Sequence, residues 1–241
     1  MNFAEFAQPQ LRSPESHVTP VVYIVDDDVS VRESLEMLIR CAGWQPITFA
    51  SAQDFLSHPQ VSAPSCLILD VGLPDINGLD LQRQIAERYH PPIIFITGNG
   101  DIPTSVRAIK AGALDFLTKP FRSEHLRDLV RAALAQDFER RTRRTQLDGL
   151  QQRFALLTPR EREVLPLVVS GLLNKQAAAH LGISEITYQI HRTNVMRKMK
   201  AGSLAELVRI ADALEIPVSC VRRPQRPSVR FGFATAELGL A

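Results

Sequence analysis

The chain has 241 residues, 45% of them hydrophobic and 22% charged, enough for one domain of ordinary size and a smaller one. No apolar run approaches the ~18 residues of a helical membrane span, and residues 1–20 carry no apolar core of a secretory signal, so cytoplasm is the expected location and no membrane partner is expected. The formal charge is only +2, but residues 1–125 hold 9 Lys and Arg against 15 Asp and Glu, whereas residues 126–241 hold 19 against 11. An acidic half joined to a basic half points to a polyanionic partner for the second. Nucleic acid ranks ahead of a membrane surface because no amphipathic membrane-binding face accompanies the charge. Cys41, Cys66 and Cys220 lack metal-ligand spacing and fit free thiols in a reducing compartment.

Residues 1–20 are expected to be a disordered lead. From Val21 the pattern alternates. Strands are predicted near 21–26, 45–49, 65–70, 92–97 and 113–118, and helices near 29–42, 51–57, 78–89, 101–111 and from 123 onward. That alternation predicts a doubly wound α/β domain of five βα units over residues 21–134.

Four of the strand-like runs end in reactive polar groups: VVYIVDD in Asp26 and Asp27, CLILD in Asp70, PPIIFIT in Thr97 and ALDFLTK in Lys119. In a parallel sheet those ends share one edge, where ligands bind. A carboxylate such as Asp70 can attack phosphorus if the repulsion between two anions is screened. Mg²⁺ supplies that screening through a few carboxylates and waters, which suits Asp27 and Asp70 as direct ligands and Asp26 through water. Lys119 and Thr97 would bond phosphoryl oxygens as a cation and a hydroxyl donor. Each residue alone has a plainer reading, as a helix N-cap or a solvated loop residue. Four coincidences at successive strand ends outweigh it.

Beyond residue 123 the helix is expected to continue through DFERRTRRTQLDGLQQRF. Arg140, Arg141, Arg143 and Arg144 are read as part of a solvated helical linker, residues 135–156, that Gly149 interrupts. Thr158, Pro159 and Glu161 then form a capped helix start. Pro166 inside that helix removes a backbone hydrogen bond and predicts a kink. Asn174–Leu181, a turn through Gly182, and a longer helix capped by Ser184 and running to about Lys200 predict a helix-turn-helix, with Ser203 and Glu206 opening a fourth helix. Along the longer helix, Tyr188, His191, Val195 and Met199 should pack inward, leaving Gln189, Thr193 and Arg197 outside. His191 is expected to be a packed, hydrogen-bonded histidine rather than a metal ligand. Residues 215–241, rich in proline and arginine, are expected to be a disordered tail.

The first region resembles the receiver domain of bacterial two-component response regulators. The likeness rests on VDDD (25–28), LDVGLPDINGLDL (69–81), FITGNGD (95–101) and AIKAGALDFLTKPF (108–121). It implies that Asp70 is the phosphoacceptor, that Asp26 and Asp27 form an acidic pocket for Mg²⁺ with Asp70 and the carbonyl of Gly72, that Thr97 and Phe116 are a switch pair, and that the Lys119–Pro120 bond is cis. Relatives usually carry a larger side chain at position 72, so access of water to a phosphoryl group here differs.

Residues 157–214, beginning LTPREREVL, resemble the LuxR-type DNA-binding domain. Together the regions resemble the FixJ and NarL group, with the TGNGD loop leaning toward FixJ. This likeness implies DNA contacts by Gln189, Ile190, Arg192 and Thr193, and phosphate contacts by Arg197 and Lys198. Relatives usually have Val at Tyr188 and often Lys at Gln189, so base preference is its own. The implied partners are a sensor histidine kinase, double-stranded promoter DNA and RNA polymerase, with homodimerisation on phosphorylation and no metabolite turnover. Two rivals are a receiver switched without phosphate and an Mg²⁺-dependent aspartyl phosphohydrolase. The second resembles the haloacid dehalogenase group, which carries an Asp where this chain has Gly72.

Overall fold

The computed structural model describes residues 19–74, 76–88, 91–98 and 102–217. The expected lead up to residue 18, the expected tail from residue 218 and Cys220 lie outside the described residues. The chain divides into two compact units, residues 1–144 and 145–241.

The first unit runs β1 (Val21–Val25), α1 (Val29–Cys41), β2 (Gln45–Phe49), α2 (Ala52–Ser57), β3 (Ser65–Asp70), α3 (Gly78–Arg88), β4 (Ile93–Thr97), α4 (Ile102–Lys110), β5 (Asp115–Thr118) and α5 (Ser123–Ala155). All strand pairs are parallel, in the order β2-β1-β3-β4-β5. β1, β3 and β4 are buried throughout, as continuous apolar runs between two helical layers should be. Alternate residues feed two cores. Val21, Tyr23, Val25, Leu67, Leu69 and Phe95 pack on the side of α2, α3 and α4. Val22, Ile24, Cys66, Ile68, Ile94 and Ile96 pack with Leu35 and Ile39 of α1 and with Leu126, Val130 and Leu134 of α5.

The second unit comprises the end of α5 with α6 (Pro159–Val169), α7 (Asn174–Leu181), α8 (Glu185–Met199) and α9 (Leu204–Ala213). Val164, Leu165, Ala177, Tyr188, Val195, Met199, Leu207 and Ile210 fill its core. α6 begins with the predicted capping box of Thr158 and Glu161 and continues to Val169 with Pro166 inside it. α7 ends at Gly182, whose φ of +65° is the left-handed conformation that favours glycine. Ser184 then caps α8 by accepting the Thr187 amide at 3.1 Å.

Gly149 does not interrupt α5, which is helical from Ser123 to Ala155. A glycine inside a helix costs about 1 kcal/mol relative to alanine, but Leu150 and Phe154 just beyond it pack on the second core and hold the helix.

Candidate functional site

The parallel register brings the strand ends together. Val25 pairs with Leu69, so Asp26 and Asp70 follow on neighbouring strands, while Asp70 pairs with Ile96 and Thr97 with Thr118. Lys119, the residue after β5, reaches back across this edge. Its Nζ stands 2.6 Å from Asp26 Oδ2 and 2.9 Å from Asp70 Oδ1. The remaining oxygens are also engaged: Asp28 N–H donates to Asp26 Oδ1 at 3.0 Å and Gly72 N–H to Asp70 Oδ2 at 2.6 Å. Asp26, Asp70 and Thr97 are buried, whereas Asp27 is exposed.

Electrostatics follow from this packing. Burial raises the pKa of Asp26 above the usual aspartate value, and the negative charge of Asp70 adds to the effect, against the lowering by Lys119 and the Asp28 amide. Burial works against the Lys119 ammonium, but its hydrogen bonds to Asp26 and Asp70 prevail and hold its pKa above the ordinary lysine value. One ammonium among three carboxylates leaves the pocket net negative. Among the described residues no three acid, histidine or cysteine side chains form a ready-made metal cage. Mg²⁺ does not require one, because it keeps several waters and binds through one or two carboxylates. The hard oxygens of Asp26, Asp27 and Asp70 therefore fit that ion in kind.

Three features of this edge were not predicted. Arg32, on α1, donates through Nη1 to the carbonyls of Asp26 at 2.7 Å and Asp27 at 2.8 Å, tying down the acidic loop. Asp28 is the N-cap of α1, accepting the Ser30 amide at 2.8 Å, so of the three successive aspartates one is structural. Gly78 lies so close to the end of β3 that a Cβ there would come 2.7 Å from the Asp70 carbonyl oxygen. A motif such as DINGLD contains the glycine but not this approach. At Gly72, by contrast, an added Cβ would sit 3.2 Å from Asp70 Oδ2, so glycine leaves the acceptor less crowded than a larger residue would.

The proposed switch residues lie on adjacent strands. The Thr97 carbonyl accepts the Lys119 amide at 2.7 Å. Phe116 is half-buried, and its ring lies 6.4 Å from that of Phe95. The Lys119–Pro120 bond is cis.

On α8, Tyr188, Val195 and Met199 are buried and Gln189, Ile190, Thr193 and Arg197 are exposed, as the spacing predicts. His191 is half-buried, but its Nδ1 is buried without a hydrogen-bond partner among the described residues, so the expected hydrogen bond is absent at that atom. Of the six expected DNA contacts, Thr193 donates its hydroxyl to the Gln189 carbonyl at 2.9 Å and Arg197 reaches Asn194 Oδ1 at 3.5 Å within α8, and two others are engaged with neighbouring helices. Arg192 Nη1 donates to Asn174 Oδ1 at 2.7 Å, bracing α8 against the start of α7. Lys198 Nζ lies 2.6 Å from Glu161 Oε2, and Glu161 is almost fully buried.

Of the four linker arginines, Arg143 and Arg144 are exposed as expected, whereas Arg140 and Arg141 are paired. Asp137 is fully buried, pairs with Arg140 and Arg141, and accepts the Ser65 amide at 2.8 Å. Arg141 Nη1 further donates to the carbonyls of Val61 and Ser62. These bonds fasten α5 to the start of β3. Residues 142–148 of α5 are exposed throughout.

A five-stranded parallel α/β unit with an acid-and-lysine edge, together with a helix-turn-helix unit, defines a signal-receiving DNA-binding regulator. Comparison with known proteins agrees. Residues 22–131 match the response regulator receiver domain family, and residues 155–211 match the luxR family of bacterial regulatory proteins. Nodulation protein W of Bradyrhizobium diazoefficiens is 46% identical over 212 residues, 88% of this chain and 93% of that protein. The transcriptional regulatory protein FixJ of the same organism is 38% identical over 191 residues, 79% of this chain and 93% of its own length. Among solved structures, the response regulator StyR superposes with a TM-score of 0.74 at 46% identity, covering 80% of this chain and 98% of StyR. The chain therefore belongs to the two-component response regulators that join a receiver domain to a LuxR-type DNA-binding domain. It is a phosphorylation-controlled, DNA-binding transcription regulator.

Proposed function

We propose that Asp70 accepts a phosphoryl group from a sensor histidine kinase and that this modification controls promoter binding by α8. The observation that carries the reading is the reach of Lys119 Nζ to both Asp26 and Asp70 at the carboxyl edge of the sheet. An Asp70 oxygen attacks phosphorus and the bond from phosphorus to the donor histidine breaks. Lys119 then bonds a phosphoryl oxygen, exchanging one of its carboxylate partners for the new anion. Thr97 donates its hydroxyl to a second oxygen. Asp26, Asp27, Asp70 and the Gly72 carbonyl would hold Mg²⁺, which supplies charge neutralisation between carboxylate and phosphate.

The movement of Thr97 and Phe116 then remodels the face of α4, β5 and α5. Val106 and Ile109 of α4 are each nearly half exposed, and apolar side chains at that face suit a homodimer. In the second unit, Gln189, Ile190 and Thr193 meet base edges and Arg197 meets phosphate. Arg192 and Lys198 act by positioning α8. RNA polymerase is a further partner and cytoplasm the location; no described helix is long and apolar enough to cross a membrane. The chain turns over no metabolite, and its chemistry is confined to its own phosphorylation and dephosphorylation. Genome-wide mapping of bound DNA with the wild type and Asp70→Asn tests the reading: occupancy should be lost from most sites in the variant. Equal occupancy would show phosphate to be dispensable.

A further inference from the structure

α8 carries apolar side chains where folding gives no reason for them. Ile186 is 73% exposed and Ile190 57% exposed, and neither belongs to the core of the second unit. β-Branched residues are weaker helix formers than Ala, Glu, Lys or Arg at wet positions, and they offer water an apolar surface. Neither helix stability nor solubility accounts for them. A single exposed isoleucine is unremarkable in a folded protein. These two are stacked one turn apart, in a stripe with Gln189, Thr193 and Arg197, since residues three and four apart share a helix face. Side chains flanking the stripe are tied down within the unit, the Thr187 hydroxyl 2.8 Å from Ser184 Oγ and Arg192 bonded to Asn174, whereas the polar stripe members bond only within α8, Thr193 to the Gln189 carbonyl and Arg197 to Asn194, and the two isoleucines have no place in the core.

The stripe is therefore apolar at the start of α8 and turns to amide, hydroxyl and guanidinium further along. A protein partner of this chain would be offered only two isoleucines beside polar and cationic groups, in a half-chain with 19 Lys and Arg against 11 Asp and Glu. Duplex DNA matches the whole stripe. Its major groove presents hydrogen-bonding edges and phosphates, and one apolar group, the thymine 5-methyl. We propose that Ile186 is a specificity-determining residue that packs on the 5-methyl group of a thymine, one turn before the base contacts of Gln189 and Ile190. This rests on the reading of α8 as the helix that enters the major groove.

The test uses the full-length protein and a duplex selected by it from a randomised pool, in which each thymine is replaced in turn by deoxyuridine. That change deletes one methyl group and keeps the pairing edge and O4. Removing one buried methyl lowers affinity about fourfold. The wild type should lose that factor at a thymine where Ile186→Ala shows no difference between dT and dU. The variant should bind the unmodified duplex about fourfold more weakly, keep its dU response at other positions and melt at the wild-type temperature. Ile190→Ala should keep the dU response at the Ile186 thymine. Full dT–dU discrimination by Ile186→Ala at every position would overturn the proposal, as would a wild type indifferent to dU throughout. So would a change in the oligomeric state of the DNA-free Ile186→Ala protein with its dU response intact, which would give the side chain to a second copy. A pool that shows no enrichment at all would overturn the assignment of α8 as the reading helix, and this proposal with it, whereas enrichment abolished by Gln189→Ala beside indifference to dU would overturn the Ile186 contact alone.

Discussion

Lys198 Nζ, near the end of α8, lies 2.6 Å from Glu161 Oε2 at the start of α6. The same carboxylate oxygen accepts the Thr158 amide at 2.8 Å, and Lys198 also donates to the Leu156 carbonyl at 3.2 Å. One lysine thus closes a capping box, joins α6 to α8 and reaches the residue that follows α5. Burial alone would raise the pKa of Glu161, but hydrogen bonds from Lys198 and Thr158 prevail and hold it below the usual glutamate value.

Lys198→Met should therefore act on stability before it acts on DNA. Removing one partner of a fully buried pair costs ~3–5 kcal/mol, and the partial exposure of Lys198 reduces this to about 2–3 kcal/mol. A thermal melt of the second unit's transition measures it, and an unchanged transition beside a reduced salt slope for DNA binding would return Lys198 to the phosphate contacts.

The pH dependence of that unit has a definite sign. A carboxylate whose folded pKa is depressed contributes stability that is complete above its unfolded value, about 4.3 for glutamate, and is lost as pH falls through the folded value. Melting from pH 7 toward pH 3 should lower the wild-type transition more steeply than that of Glu161→Gln. Parallel curves would remove Glu161 from the account.

If the exposed face of α8 reads bases as proposed, Gln189→Ala or Thr193→Ala should cost about 1–3 kcal/mol on the preferred site and little on random DNA. Arg197→Ala should weaken all sequences alike and reduce the salt-dependence slope by about one. Binding titrations at several salt concentrations separate the two behaviours.

The fold was legible because three of its strands, β1, β3 and β4, are wholly buried and end abruptly. CLILD stops at Asp70 and VVYIV at Asp26, and short apolar runs alternating with helical patterns read as a parallel α/β sheet. The edge residues were legible for the same reason: Asp26, Asp70, Thr97 and Lys119 each terminate a strand. Contacts that depend on distant pairing were not. Arg141 and Lys198 resemble any solvated basic residue in sequence, and only the fold brings them to Asp137 and Ser65 or to Glu161. Gly149 misled because its intrinsic helix penalty is smaller than the packing of Leu150 and Phe154 beyond it. Pro166 is tolerated within α6, among Val164, Leu165, Leu167 and Val168, all buried.

Asp137→Ala should loosen the base of the receiver. It leaves the Ser65 amide without its acceptor and Arg141 without its carboxylate, though both arginines retain access to water, so about 2–3 kcal/mol is expected. Urea unfolding of the full chain measures the loss, and hydrogen exchange should show the Ser65 amide deprotected. Retained protection at Ser65 would contradict the fastening role of Asp137.

Lys119→Ala should still be phosphorylated but should not dimerise, because the charge-assisted bond that links the phosphoryl group to β5 is gone. Light scattering with and without acetyl phosphate reads this directly; normal phosphate-induced dimerisation would remove Lys119 from the relay.

The central claim is that Asp70 is the nucleophile of this edge. Intact mass measurement after incubation with acetyl phosphate and Mg²⁺ tests it most directly. The wild type should gain one hydroxylamine-labile phosphoryl group per chain and Asp70→Asn none, since an amide cannot attack phosphorus as the carboxylate does. An equal, hydroxylamine-labile gain in Asp70→Asn would place the acceptor on another residue and contradict the account.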